Sequence, residues 1–148
     1  MLAQGRRGLP PALLWLGYLG VTAGSAYLAD SLSGAGMGAL RHVAAAAGAT
    51  AMAMILMQMV TSGRFERLSG RLGIDVTMGF HKWAAPVALG FALLHVAALP
   101  GLPDPARPGR FANRVEMVLT GPGLWDARAA LVGLALLVGL ALLRDRLP

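Results

Sequence analysis

The residues best suited to chemistry are two histidines, His81 and His95, fourteen positions apart. On one helix, fourteen steps of about 100° close to within roughly 40° of four turns, so both imidazoles project from the same side. The rise between them is about 21 Å at 1.5 Å per residue. Imidazole is a common axial ligand of haem iron, and two porphyrins stacked across a bilayer need ligands at about this spacing. Either histidine alone would be read as an interfacial or packing residue; their joint spacing favours ligation. The chain contains no cysteine, which excludes disulfides, thiolate metal sites, iron–sulfur clusters and covalent haem attachment. Met52, Met54, Met57 and Met59 are alternative soft ligands. Their spacing of two and three spreads them around a helix, which suits gap filling and lipid contact better.

The elements that must carry these histidines are apolar and long. Of the 148 residues 56% are apolar and 14% charged, with a mean hydropathy of +0.61, whereas soluble domains carry about 25% charged residues. The charges are clumped. None lies between Val43 and Val60, and between Trp83 and Gly101 the only ionisable side chain is His95. Such runs match the hydrocarbon thickness of a bilayer. The pattern predicts an all-α integral membrane bundle of about four transmembrane helices, over 9–29, 38–60, 77–99 and 125–143. A short amphipathic segment over 111–119 is expected to lie at the membrane interface. Asp75 suits an N-terminal cap of the third helix, and Pro86 removes a backbone hydrogen bond to the Lys82 carbonyl and is expected to kink that helix just above His81. Gly20 and Gly24 form a GxxxG, and Gly48, Gly90, Gly133 and Gly139 are expected to allow close helix approach.

The net charge of +6 does not point to nucleic acid, because the arginines fall in the gaps between apolar runs, where lipid headgroups meet them. One side of the membrane would hold Arg6, Arg7, Arg64, Arg67, Arg71, Lys82, Arg144 and Arg146, and the other Arg41, Arg107, Arg110, Arg114 and Arg128. This asymmetry of eight to five places both termini in the cytoplasm and the chain in the plasma membrane. Trp83 suits the inner interface and Trp125 the outer one.

Gln58, Arg64, Glu66, Gly73, Asp75, His81, Lys82 and His95, in that order, resemble the ferric reductase-like transmembrane domain. That family includes bacterial ferric reductases and the membrane part of NADPH oxidases. Its pattern has a glutamine late in helix two, an arginine, a glutamate, Gly-x-Asp, a histidine followed by a basic residue, and a second histidine thirteen or fourteen residues on. The similarity runs from roughly Gly38 to the C-terminus. It implies a six-helix domain holding two b-type haems, each iron bound by one histidine from helix three and one from helix five. His81 would serve the inner haem and His95 the outer. It also implies a cytoplasmic module binding FAD and NAD(P)H that feeds electrons to an external acceptor such as ferric iron or oxygen. Arg64, Arg67 and Arg71 are first lipid-headgroup anchors; beneath the inner haem they would also suit haem propionates or a docked flavin domain.

The sequence departs from that pattern after the fourth span, where helix five and its histidine pair would follow. His42 is the only other histidine and offers itself only near the outer site. The chain therefore reads as an N-terminal piece that needs further C-terminal helices and a flavin module, or as a subunit completed by a partner. Two other functions compete with transmembrane electron transfer from a flavin module. One is a haem cytochrome subunit fed by quinol with a separate catalytic partner, and the other is a non-catalytic membrane scaffold. No residue has the setting of a catalytic acid, base or nucleophile.

Overall fold

The computed structural model describes residues 11–34, 36, 38–61 and 74–144, which are helical and contain no strand. The helices are α1 (Pro11–Leu32), α2 (Ala39–Thr61), α3 (Ile74–Ala98), α4 (Pro108–Thr120) and α5 (Trp125–Arg144). A 3-10 turn at Pro122–Leu124 leads into α5.

Two segments, Ala39–Thr61 and Pro122–Arg144, are long and apolar enough to cross a membrane. The expectation of four such spans is thus met in part. α1 and α3 have spanning length, at 22 and 25 residues, against the roughly 20 that a bilayer core requires. Their composition is more polar: α3 carries His81, Lys82 and His95, and α1 mixes Thr22, Ser25, Tyr27 and Asp30 among its apolar residues.

The helices run up and down. α2 packs along both α1 and α3, while α5 touches α3 lightly. The α1–α2 turn is closed by Ser33, whose amide donates to the Ala29 and Asp30 carbonyls. It is clasped by His42, whose Nδ1–H donates to Asp30 Oδ1 at 2.8 Å. Alanine lines the seams: Ala44, Ala47, Ala51 and Ala53 of α2 and Ala84, Ala88 and Ala98 of α3 are all buried. Side chains this small let backbones approach where lipid offers no hydrophobic drive. Toward the other end, Tyr18, Met54, Phe80, Ala84 and Ala88 form the core cluster. Phe80 stands edge-on to both Trp15 and Tyr18, with centroids 4.9 and 4.7 Å apart, a preferred aromatic geometry. Thr22, Thr50 and Thr61 satisfy their hydroxyls on carbonyls four residues earlier.

Three expectations about small and soft residues resolve here. Gly20 and Gly24 of α1, Gly90 of α3, and Gly133 and Gly139 of α5 face open space, so a side chain there would meet nothing. Their proposed role in helix approach within this chain is corrected; of the glycines singled out, only Gly48 meets a neighbour across a helix pair. The methionines do spread around α2, Met54 buried and Met52 and Met59 exposed. α3 continues as a helix through Pro86. The side chain of Asp75, proposed as a cap, lies outside the described residues.

α4 is strongly amphipathic and buries no residue. Pro108 opens it, its fixed φ matching a first helical turn. The elbow from α4 to α5 is held by Arg128, whose guanidinium donates to the Leu124, Leu119 and Gly121 carbonyls and lies 4.9 Å from the Trp125 ring centre. Beyond the elbow α5 stands almost unpacked: Val138 is its single buried residue, and Leu136, Leu137 and Leu140 are 62–69% exposed. An exposed apolar surface of this kind marks a site of membrane or protein contact.

Candidate functional site

His81 and His95 lie on one continuous helix, α3, near its opposite ends. His81 is in its second turn, where α3 faces the last turn of α5. The two helices border a groove of about 580 Å³, within the roughly 300–1,000 Å³ common for small-molecule and cofactor sites. Its walls are mainly apolar, with Pro86, Val138 and Leu142 among them. Lys82 and Arg144 add two cationic side chains to the lining. The Nε2 atom of His81 is buried and has no hydrogen-bond partner among the described residues. An unpaired buried polar atom costs about 1–3 kcal/mol and calls for an explanation.

His95 sits in the last turn of α3, against α2. Its Nδ1 lies 2.7 Å from the main-chain oxygen of Ala44. A carbonyl oxygen can only accept, so Nδ1 carries a proton, and in the neutral ring Nε2 then keeps its lone pair. The same arrangement is found around metal-bound histidines, where the far ring nitrogen donates to a carbonyl and fixes the tautomer. The ring occupies the space over Gly48, where a Cβ would come within 2.6 Å of Nδ1.

The structure thus sets the two imidazoles at different interfaces of the same helix, His81 toward α5 and His95 toward α2. His42 lies at the α1–α2 turn, where its Nδ1 donates to Asp30 Oδ1 at 2.8 Å and clasps the hairpin. Arg64, Arg67 and Arg71 lie outside the described residues. No cluster of three or more metal-ligating side chains occurs among the described residues. A haem axial position asks for one imidazole on each face of the ring, and this chain supplies single imidazoles at two levels.

Residues that sequence reasoning had not assigned to the site are Arg144, used before only in counting charge, and the Ala44–Gly48 pair on α2. A histidine and a glycine in separate apolar helices carry no signal of mutual contact in one sequence. A second cavity, of about 720 Å³, lies between α1, α2 and α3. Its lining is nearly all apolar and contains neither histidine.

A scan against protein-family models finds no match, and searches of curated proteins and of solved structures find no similar protein.

Proposed function

We propose that this chain is the haem-b-binding part of a membrane electron-transfer oxidoreductase, with His81 and His95 as axial ligands at two depths. The observation that carries the reading is the buried Nε2 of His81, without a hydrogen-bond partner among the described residues, beside an apolar groove whose lining holds two cations. The residues fit the group. As a neutral imidazole His81 would ligate the iron, the walls formed by Pro86, Val138 and Leu142 would exclude water, and Lys82 and Arg144 would face the propionates. His95, with its tautomer fixed by Ala44, offers a second nitrogen of the same kind. Bound haem supplies one-electron chemistry; the protein supplies ligands, burial and electrostatics.

In this reading α1, α2, α3 and α5 all cross the plasma membrane, both termini face the cytoplasm, and the bare surface of α5 is covered by lipid and by further helices. Those helices, or a partner subunit, bring the second ligand of each iron. Electrons enter from a cytoplasmic module that carries FAD and binds NAD(P)H, and leave to an acceptor outside. The ordered residues from Gln58 to His95 support the same assignment.

The test is haem content and optical spectrum of the protein purified from its own membrane with whatever assembles with it. Wild type should carry two b-type haems, and His81→Ala and His95→Ala should each lose one or turn it high-spin. Full haem content and unchanged spectra in both variants would refute ligation and leave the membrane scaffold.

A further inference from the structure

We infer that Gly48 and the main-chain carbonyl of Ala44 are positioning elements for His95: the glycine admits the imidazole against α2, and the carbonyl holds it as the Nδ1–H tautomer with Nε2 directed to ligation. The contact is close. A Cβ at position 48 would lie 2.6 Å from Nδ1, 2.9 Å from Cε1 and 3.1 Å from Cγ of His95. Three ring atoms therefore fill the space that any side chain would take. Ala44 and Gly48 are four apart on α2, so the Ala44 carbonyl points along the helix toward the amide of Gly48. Its second lone pair is open to His95 because no side chain covers it from position 48, and Nδ1–H occupies it at 2.7 Å. Donation from Nδ1 pushes electron density toward Nε2 and makes it the stronger base and ligand.

What Nε2 binds rests on the haem reading proposed above; the ring orientation does not. The experiment separates the two. The full chain, with 15N-labelled histidine, is placed in lipid nanodiscs, and the His95 ring signals are assigned by their loss in His95→Ala. Before haem is added, His95 should show a protonated Nδ1 and an unprotonated Nε2. In Gly48→Ala the ring must leave the carbonyl, and that tautomer should be lost. After loading with haem, Gly48→Ala should weaken binding at this level by about 10–100-fold, the usual cost of removing an outer-shell partner. It should also raise the reduction potential of that haem, because a less basic imidazole stabilises the ferric state less. Gly90→Ala, where a new methyl meets nothing, should change none of these.

An Nε2–H tautomer in the wild type overturns the inference, and so does Gly48→Ala with tautomer and potential unchanged. If Gly48→Ala does not fold, the wild-type tautomer decides alone. The expected tautomer, its loss in Gly48→Ala, and no haem on the wild type would uphold the positioning and remove the haem reading.

Discussion

Replacing His81 by leucine should stabilise the haem-free chain while destroying the inner site. The buried Nε2 of His81 has no partner among the described residues, and a nitrogen so placed carries an unsatisfied penalty of about 1–3 kcal/mol. Leucine fills much of the same volume without a polar atom, and so avoids the cavity that truncation to alanine would add. His81→Leu should therefore raise the unfolding free energy of the haem-free chain by about 1–3 kcal/mol, with each 1.4 kcal/mol worth about tenfold in the equilibrium. His95→Leu should do the opposite. It removes the Nδ1–H bond to Ala44, worth about 0.5–1.5 kcal/mol, and it forces a branched side chain against Gly48. The assay is reversible unfolding in bicelles, with haem loading measured in parallel. Opposite signs for the two variants, with haem lost at one level in each, are the expected result. A loss of more than about 1 kcal/mol in His81→Leu would show that His81 is a packing residue and that its bare nitrogen marks no site.

Exogenous imidazole should complete the sites: haem loaded onto the 148-residue chain should be five-coordinate and high-spin, and imidazole should convert it to low-spin. Two low-spin haems without imidazole would mean that the chain supplies both ligands itself. His42 and Asp30 have side chains 28% and 58% exposed, so a double-mutant cycle between them should give a coupling of about 0.2–1 kcal/mol and no change in haem spectrum. Reporter fusions after Gly36, Gly70, Pro108 and Pro148 should read out, in, out, in; an inward signal after Pro108 would exchange the inner and outer assignments of the two histidines.

Helicity and apolar character were legible in the residues because both depend on local pattern. An uncharged run such as 43–60 must satisfy its backbone internally wherever water is absent, and only a helix does so within one segment. The amphipathic α4 was legible for a related reason, since its charges and apolar side chains separate at helical period. The shared helix of His81 and His95 also followed, because no strong breaker lies between them except Pro86, which α3 absorbs.

The roles of glycine were not legible. Gly48 and Gly90 look alike in sequence, each a small residue in an alanine-rich helix. Packing alone puts one under the His95 ring and leaves the other bare. His42 is a parallel case. Its depth made it a candidate ligand, and nothing in the residue order announced that the short α1–α2 turn brings Asp30 within 2.8 Å of its Nδ1.

By itself, then, the sequence determined that the chain is helical with long apolar runs and that two imidazoles sit about 21 Å apart along one helix, because rise and rotation per residue are local constants of the helix. Only the tertiary structure decided that His95 donates to the Ala44 carbonyl, that His81 lines a groove with Lys82 and Arg144, its Nε2 unpartnered among the described residues, and that α5 stands nearly unpacked. Those outcomes depend on which helix faces which, and at what register. Contacts between residues as distant as 44 and 95 fix that choice, and no period along the chain encodes it.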